Sequence, residues 1–423
     1  MQKITILWLR SLFVLTSISC AYSQTLPVIT NPFAELDAHS TPQDYASVAR
    51  KLFVKNLDLR SSELYLYASL LYCKGNQPDS AGVAMLAALA SGMANPNILD
   101  KDPSLSRIRQ SEQWPTIETK LDEIQKRQHK VANFRVNTDL LASFFTAYNQ
   151  TMEEQDTTCR RFHAWVLNGP DALRDFYFHR YESVDRMCRV MVKEEPEHYH
   201  YLQQVYEAGK FDGIKKQCED MIRRFAKRYP PGTYPTVYIV PGLLNMGGSV
   251  TNLGLYIGAD KFVEPDTTSS GMSEAVEEKM ITAMKGTIFH ELMHFQQHYR
   301  DTVNVNNILG KVIYEGVCDF LVQLFTGQDI HQIQDPFLED PQVLKQVLTE
   351  LQQDRDSQDL GRWVYNSATE DRPKDVGYKI GAEVCRSYYN QHSDKDQAIY
   401  ELLNTSDITE LYRKSKYAWV LDD

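Results

Sequence analysis

Along most of the chain the apolar positions recur at the three- and four-residue spacing of buried helix faces, and one region breaks that rule. In SSELYLYASLLYCKG, Leu64, Ala68 and Leu71 form one stripe before Gly75 and Asn76 interrupt it, and a second helix is expected over about Ser80 to Ala90. Helical patterning dense in Tyr, Phe and His continues from about Asn137 to Arg228. At Tyr229 the texture changes. The run PPGTYPTVYIVPGLLNMGGSVTNLGLYIGADKFV mixes Pro and Gly with β-branched and aromatic residues, which predicts two or three short strands, best placed at Thr236 to Val240 and Gly254 to Ala259. Beyond EPDTTSSG, Ser273 can cap a helix whose early acids Glu274, Glu277 and Glu278 suit its positive end, and helix is expected from there onward. The expected class is α+β, predominantly helical, with a small sheet at about 234–263.

The first 23 residues follow another pattern. Lys3 and Arg10 precede the apolar run SLFVLTSIS, and Ala21 and Ser23 are small, which reads as an export signal cut between Ser23 and Gln24. The run is too short to span a bilayer permanently. A rival reading places a lipid on Cys20, although Ser17 stands where a lipobox prefers Leu. The chain is therefore expected in the periplasm or outside the cell, or as an outer-membrane lipoprotein. Its 423 residues suit two folded units behind that leader, a helical module over 24–130 and a larger domain over 131–423. The N-terminal helix pair resembles a unit of the tetratricopeptide type. Such repeats need about three copies to bury their faces, so this one reads as a module packed on its neighbour, or as a holder of a protein partner.

The formal charge of −11 becomes −13 without the leader, and no block of Lys and Arg is present, which argues against nucleic acid or anionic lipid as partner. Six cysteines remain in the mature chain (Cys73, Cys159, Cys188, Cys218, Cys318 and Cys385). With no CxxC pair among them, a cysteine-based zinc finger is disfavoured, and no disulfide pairing follows from their spacing.

Chemistry concentrates in GTIFHELMHFQQH. Its apolar residues Ile288, Phe289, Leu292, Met293 and Phe295 bury most of a helix expected over about 282–299. His290 and His294 are one turn apart, so both imidazoles can meet one cation at about 2 Å. Glu291 lies beside that face, where a general base belongs. A catalytic zinc needs a third protein ligand, and Glu315 follows 21 residues after His294 in ILGKVIYEGVCDFLVQLFTG, a helix expected over about 307–326 and ended by Gly327. Asp319, one turn further, can accept a hydrogen bond from a ligand imidazole. The bland alternative is a buried carboxylate pair satisfied by Arg or Tyr. Of the other histidines, His163 and His179 read as core or capping residues, His198 and His200 as surface, and His298, one turn past His294, as a rim residue.

HELMH followed by EGVCD resembles the gluzincin metallopeptidases, whose signature is HExxH with a Glu third ligand and an Asp one turn beyond. It is more closely similar to a bacterial family described as zinc-dependent proteases, which share EG after the ligand Glu and a later GYxxG, here Gly377 to Gly381. The likeness covers roughly Val136 to Val420. It implies one zinc per chain, peptide or protein substrates, and an edge strand at Gly254 to Ala259, with Gly254, Leu255, Tyr256 and Ile257 holding the substrate backbone. Tyr378 in that segment is the candidate oxyanion donor, against a simple packing role. Two other classes stay open: an exported binding protein with a vestigial or structural zinc site, and a zinc hydrolase of another amide or ester.

Overall fold

The computed structural model describes residues 26, 31, 33–100, 102–263, 274–299, 304–330, 340–366 and 372–422. The export leader, Cys20 and the Ser273 cap lie outside the described residues. Helix α1 (Pro42–Leu59) begins at Thr41, whose hydroxyl accepts from the Asp44 amide while the Asp44 carboxylate accepts from the Thr41 amide, so two amides at the helix start are satisfied. Helix α2 (Ser62–Lys74) packs against α1 on one side and α3 (Pro78–Ala90) on the other. Its Leu64, Ala68 and Leu71 join the main core, whereas Tyr65, Leu66 and Cys73 belong to a second, local core with Met85, Ile108 and Ile117. Being buried all round, α2 has little amphipathic character. Helix α4 (Trp114–Gln128) closes this part.

A four-stranded sheet follows, in the order β1 (Arg135–Asn137), β2 (Thr236–Val240), β4 (Leu255–Gly258), β3 (Gly248–Val250). β1, β2 and β4 are parallel, and β3 runs antiparallel to β4. This corrects the expected substrate edge. Gly254 to Ile257 belong to or adjoin β4, which is paired on both sides, so the edge strand at that end of the sheet, among the described residues, is β3. The hairpin through Thr251 to Gly254 carries the chain back into the gap beside β2, so the strand earlier in sequence is left outside. Six helices lie between β1 and β2, from α5 (Asp139–Glu153) through α6 (Arg160–Asn168), α7 (Asp171–Phe176), α8 (Val184–Cys188) and α9 (Pro196–Glu207) to α10 (Asp212–Arg228). Their core is aromatic: Phe144 meets the rings of Phe162, Trp165 and Tyr199 at centroid distances of 5.7, 5.5 and 6.0 Å. A disulfide joins Cys159 to Cys188, with 5.8 Å between Cα atoms.

Helix α11 (Glu274–Gln296) lies against β3, β4 and α10, and α12 (Ile308–Thr326) packs on α11. Asn307 caps α12 by accepting from the Gly310 amide, and Gly327 ends it in a left-handed conformation. Helix α13 (Pro341–Asp354) follows, and α14 (Val376–Gln391) then crosses α12 at very short range. A Cβ on Gly316 would fall 2.2 Å from the Gly381 carbonyl carbon, and one on Gly381 would fall 2.0 Å from the Val312 carbonyl oxygen. Gly316 of EG and Gly381, the second glycine of GYxxG, are thus the contact point of two helices, each needed because the other backbone occupies the space of a side chain. Helices α15 (Lys395–Leu403) and α16 (Ile408–Arg413) complete the fold, which is α+β and predominantly helical. Among the described residues no helix is long and apolar enough to cross a membrane.

Candidate metal centre

The i, i+4 spacing on α11 stands the two imidazoles side by side, with ring centroids 4.7 Å apart. Each is held from behind through Nδ1. His290 Nδ1 lies 2.8 Å from Asp319 Oδ1, and His294 Nδ1 lies 2.8 Å from Gln297 Oε1. Both bonds leave Nε2 pointing forward, and there the atoms converge on one carboxylate oxygen: Glu315 Oε2 is 3.4 Å from His290 Nε2 and 3.0 Å from His294 Nε2. α12 supplies both acids because Glu315 and Asp319 are one turn apart on the face turned to α11. They are only 2% and 5% exposed, so this is a buried arrangement of charge.

A buried group formed by His290, His294 and Cys318 has ligand-capable atoms within 4.8 Å of one another and can hold a metal ion. Cys318, which the sequence reading passed over, places Sγ 3.3 Å from His294 Nδ1, behind the ring, whereas Glu315 meets the ring at Nε2. Burial raises the Cys318 thiol pKa well above its usual value, and the charges of Glu315 and Asp319 add to the effect. The carboxylates make the pocket favourable to positive charge. Burial by itself lowers the His290 pKa, but hydrogen bonds to Asp319 and Glu315 outweigh it and push the value up to about 10. Burial likewise disfavours the charged form of Glu315, yet the imidazoles of His294 and His290 hold its pKa well below the carboxylate range.

Glu291 is directed toward β3 rather than toward the other acids. A Cβ on Gly248 would lie 2.5 Å from Glu291 Cγ and Oε1, so the strand can pass the carboxylate only because residue 248 has no side chain. Burial raises the Glu291 pKa, partly offset by the charges of His294 and His290. Tyr378 is buried, with its ring 6.1 Å from that of His290. A second phenol was missed. Tyr365, 62% exposed and with a left-handed backbone at φ 59°, donates its hydroxyl to Glu315 Oε1 and sets its ring edge-on to Tyr378. Its sequence context, WVYNS, carries no periodic or motif signal. Tyr314 stacks on His294 at 4.6 Å, and Lys311 lies 3.9 Å from Glu315 Oε1.

The other histidines serve elsewhere, and one reading, His198, changes. α11 ends at Gln296, so His298 does not continue its face; its amide donates to the Leu403 carbonyl and its Nε2 lies 3.5 Å from Asn97 Nδ2. His198 is buried rather than on the surface, bonded through Nε2 to the Asp260 carbonyl at 2.8 Å, because it falls on the inner face of α9 with Tyr199, Leu202 and Val205. His179 lies at the sheet edge, 3.0 Å from Ser249 Oγ. Comparison of the chain with models of known families, with curated proteins and with solved structures finds no match.

Proposed function

We propose that this chain is an exported zinc-dependent peptidase in which His290, His294 and Glu315 hold one zinc ion. The observation that carries the reading is the convergence of two imidazole Nε2 atoms on one Glu315 oxygen, at 3.4 and 3.0 Å, with each Nδ1 already bonded elsewhere. Two nitrogens and a carboxylate oxygen are the donor set of a catalytic zinc. Once bound, such an ion polarises a carbonyl and makes water acidic enough to ionise near neutral pH. The chain's own residues then divide the remaining work. Asp319 and Gln297 orient the ligand rings. Glu291 accepts the proton from water and returns it to the leaving amine, and its raised pKa suits it to both steps. Tyr365, whose hydroxyl donates to Glu315, and Tyr378, whose ring lies 6.1 Å from that of His290, are the phenols available to a developing oxyanion.

The substrate backbone lies along β3. In an antiparallel pair the hydrogen-bonded residues alternate, and the bonds between Gly258 and Gly247 and between Thr251 and Gly254 leave the amides and carbonyls of Gly248 and Val250 facing away from β4. A peptide added there runs beside Glu291. The Cys159–Cys188 disulfide supports an oxidising location, as the leader does, and α1 to α3 serve as an appended packing module. Cys318 favours a second reading, a structural metal site of two imidazoles and a thiolate; Glu291 has no use in it. The test is Glu291→Gln. The purified variant should keep about one zinc per chain and lose cleavage of a peptide library; cleavage at the wild-type rate would sink the assignment.

A further inference from the structure

Near the proposed base stands a cation, Arg180, that forms no ion pair among the described residues. Arg180 lies in the turn after α7, which is pinned to the sheet on both sides: the Tyr181 hydroxyl donates to the Pro241 carbonyl, and Phe176 stacks on Tyr256 of β4 at 5.0 Å. From there Arg180 Nη2 donates to Ser249 Oγ at 3.1 Å, and the same hydroxyl bonds His179 Nε2 at 3.0 Å. Ser249 adjoins Gly248, the residue that touches Glu291. Because successive side chains of a strand point to opposite faces, Arg180 reaches β3 on the Ser249 face and Glu291 on the Gly248 face, so the two flank the same stretch of this edge strand.

Its donors are largely unused. Ser249 takes one of five N–H groups, Arg180 Nε is buried without a partner, and no described carboxylate lies within ion-pair distance. Burial lowers the Arg180 pKa, and the acid whose charge opposes this is Glu291, which faces it without contact. His179 adds no charge, because burial and then the neighbouring Arg180 bring its pKa down to about 4. A half-buried guanidinium with open donors costs free energy unless something supplies acceptors, and its planar fork matches a carboxylate.

We propose that Arg180 is the specificity residue of this site, gripping a carboxylate of the peptide laid along β3, so that the enzyme selects substrates with a negative group close to the cleaved bond. The carboxylate can be the free C-terminus or an acidic side chain. This rests on the peptidase reading above, and the test separates the two. Zinc-loaded full-length mature protein is titrated calorimetrically with a succinyl hydroxamate joined to a dipeptide, prepared as the free acid, as the neutral amide, and as the amide ending in Asp.

At least one of the two anionic compounds should bind about 10 to 100-fold tighter than the neutral amide, and which one does so identifies the source. Arg180→Gln should bring that ratio close to 1 with zinc content unchanged, Arg180→Lys should leave part of it, and added salt should weaken the wild-type preference. Equal binding of all three compounds by the wild type, or a preference that persists in Arg180→Gln, overturns the proposal alone. If Arg180→Gln does not fold, the lysine variant decides, since a full preference there rules out the guanidinium fork. Failure of every compound to bind overturns the metal-centred reading and this proposal with it.

Discussion

Replacing Gly381 by Ala tests whether the helix crossing sets the metal site. The new Cβ would sit 2.0 Å from the Val312 carbonyl oxygen and 2.9 Å from Gly316 Cα. Both are backbone atoms and cannot swing aside. Ordinary contact begins near 3.4 Å, so α14 and α12 must part by about 1.4 Å at this point. Overpacking of that kind costs about 1–3 kcal/mol, and the better helix propensity of Ala returns at most about 1 kcal/mol. A net loss of about 1–2 kcal/mol corresponds to a fall of about 1–2 °C in the thermal midpoint of a chain of about 400 residues, whose unfolding entropy is about 0.8 kcal/mol/K. The same shift acts on the site, because Gly316 is flanked by Glu315 and stands one turn from Asp319 and its 2.8 Å bond to His290. Zinc retention against a competing chelator should weaken by roughly 10-fold or more. Gly213→Ala is the control, since its Cβ would meet only Gln217 Nε2, at 3.9 Å, and it should be neutral or slightly stabilising. Circular-dichroism melts and chelator competition decide the matter. A Gly381→Ala protein that melts at or above the wild type and holds zinc equally well refutes the reasoning.

Asp319→Ala and Gln297→Ala should each weaken zinc affinity by about 10 to 100-fold, measured by chelator competition, since each frees the Nδ1 side of one imidazole. Asp175 in α7 accepts from the Ser61 hydroxyl and the Glu63 amide at the start of α2; burial first, and the Glu63 charge second, push its pKa up to about 7. A raised carboxyl pKa means the folded state binds the proton more tightly. Its contribution is full below about pH 4 and lost as pH rises to about 7, so urea midpoints should fall across that window in the wild type and fall less in Asp175→Asn. Removing the Cys159–Cys188 bridge by a double Ser substitution should cost about 3–4 kcal/mol by loop entropy, read from denaturant unfolding, and no loss would show that the bridge does not constrain the chain.

What the sequence disclosed was whatever local spacing determines. His290 and His294 share a face by helix geometry alone, α12 begins and ends at Asn307 and Gly327 as their capping chemistry dictates, and β2 spans the stretch TVYIV. What it concealed depends on partners distant in the chain. β1 is three residues long, too short for a period-two pattern. The exchange of β3 and β4 is a matter of sheet order, to which the alternation of Leu255 to Gly258, buried throughout, gives no clue. Gln297 holds His294 only because α11 ends just before it, and Tyr365 reaches Glu315 across 50 positions. Gly316 and Gly381 were visible as part of a pattern, but their reason lies in the contact of α12 with α14.

The central claim is that one metal ion is held by two imidazoles and the Glu315 carboxylate, with Cys318 standing behind a ring. Zinc K-edge absorption spectroscopy on the zinc-loaded mature protein tests it directly. The account predicts only nitrogen and oxygen neighbours at about 2.0–2.2 Å, with His290→Ala and Glu315→Ala each losing the ion. A sulfur neighbour at about 2.3 Å that disappears in Cys318→Ser, or zinc retained undiminished by Glu315→Ala, would contradict it.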